Sequence, residues 1–273
     1  SIKMASKLTD YIIVEAGFGS DLGAEKFLHL VCPETGIVPS VVVMVVSIRA
    51  LKMHGGMAKE DLTKENIGAI RKGIPNLGKH VENMEQSGIP IVVALNRMSA
   101  DTDMEVKVVE EFCRKRKISF AESNVFEQGG KGGIELANAV ISTMESKEQS
   151  FTLLYKRNES IKAKVQKIAK SVYGAGKVVY TETAEKAIER IESLGFGGVP
   201  ICFAKTQLSL SDDPKKVGRP EGFTLTVTNA AVSAGAGFII VYAGDIMTMP
   251  GLPKSPAAEK MDIDAIGRIY GLF

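Results

Sequence analysis

The chain has 273 residues, 45% of them hydrophobic, and a formal net charge of +2. That length allows a substantial core arranged as one large domain or as two or three smaller ones. A charge so near balance argues against a nucleic-acid partner held by bulk phosphate attraction, while leaving room for a local basic pocket that takes an anion.

In chain order, Tyr11–Val14 and Ser40–Val46 are short, β-branched and apolar throughout, the pattern of strands covered on both faces of a parallel sheet. Asp21 to Leu30 is expected to be helical, as is Asn76 to Gln86, which Ser87-Gly88 should end. Ile89 to Leu95 reads as a third buried strand. Alternation continues with a helix over 101–117, a strand over 118–122, helices over 133–148 and 161–172, a strand over 178–180 and a helix over 184–194. This is an α/β layout. After Val199-Pro200 the character changes, and Thr224–Thr228 and Phe238–Tyr242 read as strands with only small residues between them. Boundaries are therefore expected near Gln86 and Gly198, giving segments 1–86, 87–198 and 199–273, the last small and strand-rich.

Cys32, Cys113 and Cys202 are widely spaced, without a Cys-x-x-Cys or Cys/His ligand pattern, so reduced thiols in a cytoplasmic protein are expected rather than a disulfide framework or zinc site. The longest apolar run, Val38 to Ile48, is interrupted by Pro39, Ser40 and Ser47, and residues 1–8 lack a secretion-signal pattern, so no membrane partner is expected. Because the chain starts at Ser1 without a Met, a processed or excised product is expected, and an organellar parent stays open.

Four stretches carry candidate chemistry. Glu15-Ala16-Gly17-Phe18-Gly19-Ser20-Asp21 lies between an expected strand and helix, where an α/β sheet exposes a ligand site. Its glycines at 17, 19 and 23 miss the dinucleotide fingerprint by one residue, which disfavours an NAD-dependent oxidoreductase; a tight strand-to-helix turn is the plain alternative. Arg49, Lys52 and His54 follow the second strand and precede Gly55-Gly56, a grouping suited to phosphate or acyl phosphate chemistry. His29 and His80 are left unassigned. Asn96-Arg97-Met98-Ser99 follows a strand, but Ser99 stands where a guanine-reading Asp would be needed, so guanine selectivity has no basis. Phe126 precedes Gly129-Gly130-Lys131-Gly132-Gly133, where backbone amides can approach an anion and Lys131 can add charge, unless this is simply a Gly-rich helix start. Arg114-Lys115-Arg116-Lys117 reads as a solvated helix end favoured by the macrodipole, with a docking patch for a polyanionic ligand tail as the weaker reading.

Longer stretches carry a resemblance. Thr9-Asp10-Tyr11, Glu15 to Gly19, Gly23-Ala24-Glu25-Lys26-Phe27, Arg49 to Gly56, Ala204-Lys205-Thr206-Gln207, Ser211 to Pro214, Gly218 to Phe223 and Gly244 to Pro253 resemble formate–tetrahydrofolate ligase across nearly the whole chain. The resemblance implies the end of a P-loop-type parallel-sheet nucleotide-binding domain over 1–86, an α/β domain with folate and nucleotide walls over 87–198, and a strand-rich C-terminal domain. No Gly-x-x-x-x-Gly-Lys-[Ser/Thr] occurs, so the family's phosphate loop is expected upstream of Ser1, and this chain alone is expected to be inactive.

The resemblance further implies ATP with Mg2+, formate and tetrahydrofolate as ligands, an activating monovalent cation, a homo-oligomer, and one-carbon chemistry that makes 10-formyltetrahydrofolate through formyl phosphate. Glu15, Phe18, Gly19, Asp21, Arg49, Lys52 and His54 are then expected at the nucleotide, with Phe18 an apolar wall and Glu15 and Asp21 orienting backbone or metal-bound water. Asn96, Met98, Ser99, Phe126, Gly129, Gly130 and Lys131 are expected at the folate ring. Met98 and Ser99 replace an aromatic residue and Pro, Phe126 replaces Trp, and the chain has 0 Trp in all. Those departures keep a non-catalytic binding or assembly module as the alternative.

Overall fold

The computed structural model describes residues 1–146, 148–246 and 254–271. After a short helix, α1 (Ile2–Ala5), and the turns that carry it to Thr9, the chain runs exposed and without regular structure to Gly19 and then coils without a break from Ser20 to Thr35. Wide π turns at Ser20–Ala24 and Phe27–Val31 precede the last turn, α2 (Cys32–Thr35), which stops where Gly36 enters the left-handed region at φ 71°.

Three parallel strands follow, β1 (Val42–Val46), β2 (Ile91–Asn96) and β3 (Ser119–Ser123), side by side in that order. Ile91 to Leu95 is buried at every residue, as a central parallel strand covered on both faces requires. The crossovers are α3 (Ile48–His54) with α4 (Ile67–Glu85), then α5 (Asp103–Arg116). A reciprocal Thr102/Glu105 capping box starts α5, and Lys117 in the left-handed region ends it. α4 starts at Ile67 rather than Asn76 and runs through Pro75, which is exposed, as is Arg71, whose carbonyl it leaves without a helical donor. After β3 come α6 (Val125–Gln128) and α7 (Ile134–Ser146).

The second half begins with α8 (Ile161–Ile168), extended by a π turn over Ala169–Tyr173 to Gly174. Its mixed sheet contains β4 (Lys177–Tyr180), β5 (Ile201–Ala204), β6 (Thr224–Ser233) and β7 (Phe238–Ala243), ordered β4-β6-β7-β5, with α9 (Glu182–Ser193) between β4 and β5. Only β6 and β7 pair antiparallel, as the short Gly-rich link between them permits. A small antiparallel pair, β8 (Asp262–Ile263) and β9 (Ile269–Tyr270), follows. The α/β class expected from the sequence is the class observed; Met247 to Pro253 of the C-terminal resemblance lie outside the described residues.

Tyr11–Val14 is the expected strand that does not form. Ile13 is 98% exposed and the segment pairs with nothing among the described residues; a strand needs a neighbour for its N–H and C=O groups, and β1 presents its free edge without receiving one. The first sheet joins residues on both sides of Gln86, since Val42 pairs Ile91, and the second joins both sides of Gly198, since Tyr180 pairs Val227. The hydrophobic cores divide likewise, one reaching from Leu28 to Cys113 and the other from Tyr155 to Ala243.

Candidate functional site

Parallel strands deliver the residues that follow them to one edge, and here that edge collects three of the four stretches. Asn96 pairs Ser123 at the ends of β2 and β3, so the Met98 turn and the Phe126 loop leave the sheet from paired positions, about 5 Å apart across the strands. Asp101 accepts the Met98 N–H at 2.9 Å, while Arg97 donates to Glu122 at 2.7 Å and also pairs with Asp103. These bonds fix the turn, leaving Met98 half-buried and Ser99 exposed. Burial raises the pKa of Asp101, and the Met98 N–H opposes that shift.

Past β3, the Asn124 N–H donates to the Gly132 carbonyl at 3.0 Å and folds Val125–Lys131 into a short excursion. A Cβ at Gly132 would collide with the Asn124 carbonyl, so the glycine is required there. Phe126 is 84% exposed at the tip, with Gly129, Gly130 and Lys131 also exposed beside it. An aromatic ring with so little covering it is free to meet a flat partner.

The cationic grouping after β1 comes apart. Arg49 is exposed, but Lys52 is wholly buried, pairing with Glu105 at 2.6 Å and donating to the carbonyls of Leu62 and Lys64 at 3.2 and 2.8 Å. Glu105 also accepts the N–H groups of Asn66 and Thr102 at 2.8 and 3.2 Å. Lys52 therefore ties α3 to the starts of α4 and α5, with its ammonium fully engaged. His54 turns its Nδ1 to the Gly218 N–H at 3.0 Å, which requires that nitrogen to be unprotonated. Burial lowers its pKa and the nearby His80 lowers it further, against Asp21. A cleft of about 260 Å³ lies beside these groups, lined by Gly55, Gly56, Met57, Asn66 and Lys72 among others. A larger hollow of about 450 Å³ lies between α1 and Thr35, away from all of these residues.

The Glu15–Asp21 loop sits elsewhere. Phe18 and Gly19 both have positive φ, 65° and 100°, and the Gly23 N–H reaches back to the Gly17 carbonyl at 2.9 Å. A Cβ on Gly19 would sit 3.3 Å from His80, which places the loop against the second half of α4. By helix rise that is ~20 Å along the axis from Asn66, whose N–H is held by Glu105 near the Met98 turn. Phe18, 78% exposed, and the exposed Glu15 are thus not brought to the edge where Met98 and Phe126 stand.

Asp21 is buried there instead, joined to Lys205 at 2.6 Å, with Ser20 bonded to His80 at 2.8 Å and to Asn83 at 3.1 Å. The sequence reading leaves Lys205, His80 and Asn83 without a site role, although Lys205 lies in a matching stretch and His80 is among the unassigned histidines. The available signal was polar residues, Asn76, His80 and Asn83, spaced along one stripe of a helix whose neighbouring stripe is apolar.

Among the described residues no group of three or more His, Cys, Asp or Glu is placed to hold a metal, and Asp21 is committed to Lys205. Among the described residues no helix is long and apolar enough to cross a membrane. The family described as formate–tetrahydrofolate ligase has a model that matches residues 1–273.

Proposed function

From the premise that this chain belongs to the formate–tetrahydrofolate ligase family, we propose that it supplies the ring-binding wall for ATP-dependent formylation of tetrahydrofolate to 10-formyltetrahydrofolate through formyl phosphate. The observation that carries the reading is the pairing of Asn96 with Ser123, which sets the Met98 turn and the Phe126 loop side by side at one edge. A flat ring can lie on Phe126 with the Met98 thioether as the softer opposite wall. Gly129, Gly130 and Lys131 offer amides and a charge to an anionic group beside that ring.

Formate is a poor electrophile, and phosphorylation turns one of its oxygens into a leaving group that the tetrahydrofolate amine then displaces. Holding the amine close to that mixed anhydride and keeping water out is what the two walls contribute. A bound magnesium would neutralise charge on the transferring phosphoryl group; the described residues offer it no cage, and none of them is assigned to a monovalent cation. The Arg49 side chain, exposed after β1 and without an ion pair among the described residues, is the cation of its group left for an anion, Lys52 being spent on Glu105.

The phosphate loop is absent from this sequence. We assign it to a further part of the enzyme that covers β1, a strand at the edge of its sheet on which Val43 and Val45 are 39% and 68% exposed. The reading of this chain as a non-catalytic module is favoured by a separate fact, the commitment of Lys52 and His54 to structural bonds.

Calorimetric titration of the chain with tetrahydrofolate and with ATP, beside an assay for 10-formyltetrahydrofolate, tests both. Folate binding without turnover is the expected result. Absence of any folate binding would remove the ring wall, and robust turnover by these residues alone would overturn the claim that a phosphate loop must come from elsewhere.

A further inference from the structure

Glu25 lies between the two π turns of the Ser20–Thr35 segment and is 1% exposed, yet neither of its carboxyl oxygens has a hydrogen-bond partner among the described residues. Across the seam between the two cores, burial raises the pKa of Tyr155, Tyr173 and Cys202 of the second half, and Glu25 lies near enough for its charge to raise each further. From its own segment, His29 Nδ1 is 3.5 Å from Oε1, but that nitrogen bonds to the backbone carbonyl of Glu25 at 2.8 Å. His29 Nε2 accepts the Leu154 N–H at 3.2 Å, so the ring is a neutral Nδ1–H tautomer. Lys26, the adjacent cation, turns to the Leu22 carbonyl at 3.4 Å, and Asp21 is held by Lys205.

The groups that meet Glu25 from across the seam are uncharged. Tyr155 stacks on His29 and accepts the Ile201 N–H at 3.1 Å, the buried Tyr173 hydroxyl has no partner, and the Cys202 thiol is raised in pKa by burial. Lys205 is saturated by Asp21 and by the carbonyls of Thr206 and Ser209. An ionised carboxylate closed in this place has no hydrogen-bond donor among the described residues and only the charge of Lys26 to favour it, whereas the neutral acid avoids most of that desolvation.

We propose that Glu25 is a proton-linked latch on the seam: the two halves close on a protonated Glu25 and separate when it ionises. Desolvation accordingly raises the carboxyl from 4.5 to about 7, with Lys26 lowering it and Asp21 raising it. The sign follows. The closed state keeps its proton where the open state has lost one, so closure weakens as pH rises from about 4.5 and levels off above about 7.

The test is amide hydrogen exchange at Leu154 and Ile201, whose N–H groups are bound to His29 and Tyr155, corrected for intrinsic rate and measured from pH 5 to pH 8. Wild type is expected to open about a hundredfold more at pH 8 than at pH 5. Glu25→Gln should remove most of that rise and protect both amides better than wild type at pH 8. Equal pH dependence in the two proteins, or faster exchange in the variant at pH 8, overturns the proposal. Should Glu25→Gln fail to fold, the carbon resonance of the Glu25 carboxyl in folded wild type decides instead: a midpoint near 7 supports the latch, and one in the ordinary glutamate range ends it. The outcome is independent of folate binding at Phe126.

Discussion

At the scale of single residues, burial separates side chains that bind from those that brace. Phe126, exposed on a folded-back loop, contributes little to the core, so Phe126→Ala should leave thermal stability nearly unchanged. If its ring stacks on folate, the same change weakens folate binding by about 1–3 kcal/mol, combining lost burial with lost stacking. Calorimetry on the folded variant checks this, and unchanged affinity would take Phe126 out of the site. Lys52 is the opposite case. Its ammonium and the Glu105 carboxylate are both fully buried and fully bonded, so Lys52→Met leaves an unpaired buried charge and should cost about 3–5 kcal/mol. Urea denaturation should show that loss, with Lys52→Met/Glu105→Leu recovering part of it. A change in ATP affinity without loss of stability would restore the binding role first expected of this lysine.

At the scale of elements, α4 organises both the edge and the seam. α3 crosses it so closely that a Cβ at Gly73 would meet the Leu51 carbonyl, and one at Gly55 the Ala69 carbonyl. Alanine favours a helix over glycine by about 1 kcal/mol, but overpacking against backbone costs about 1–3 kcal/mol. Gly73→Ala is therefore expected to destabilise despite the propensity gain; an increase in denaturation midpoint would mean that the two helices part readily. Thr102 opens α5 with a reciprocal box and also holds Glu105 in place, so Thr102→Ala should cost about 1 kcal/mol or somewhat more in the same assay. The helix over 101–117 was legible as a local pattern. The failure of Tyr11–Val14 to pair was not, because an apolar β-branched run states a preference for a sheet and cannot state whether a neighbouring edge is within reach.

At the scale of the whole molecule, the halves are joined largely through polar bonds to α4 and to the Ser20–Thr35 segment. Arg219 grips Glu82 at 2.9 and 2.8 Å, Asn76 donates to the Gly218 carbonyl at 2.8 Å, Lys79 to that of Ser171 at 2.6 Å, and Asn83 to that of Val172 at 3.0 Å. Burial lowers the pKa of His29, His54 and His80, so the unfolded chain takes up protons first and stability falls as pH drops below about 6.5. Glu25 works in the opposite sense over about 4.5 to 7. Wild type should therefore lose less stability than Glu25→Gln on acidification from pH 6.5 to pH 5, read as the shift in urea midpoint. Parallel slopes would exclude Glu25 as the opposing group.

The sequence by itself determined the α/β class, the buried strand Ile91–Asn96, the strand Val42–Val46 though not the exposure of Val43 and Val45 on it, most helices, and, through its long matching stretches, the family. These rest on local periodicity and on residue strings, which a linear chain carries in full. Only the tertiary structure decided that Lys52 and Asp21 are consumed in buried ion pairs, that Phe18 lies along α4 from the edge holding Met98 and Phe126, and that Glu25 is enclosed without a partner. Whether a charge is free or spent depends on what another segment places against it, and for Asp21 that partner is Lys205, far along the chain.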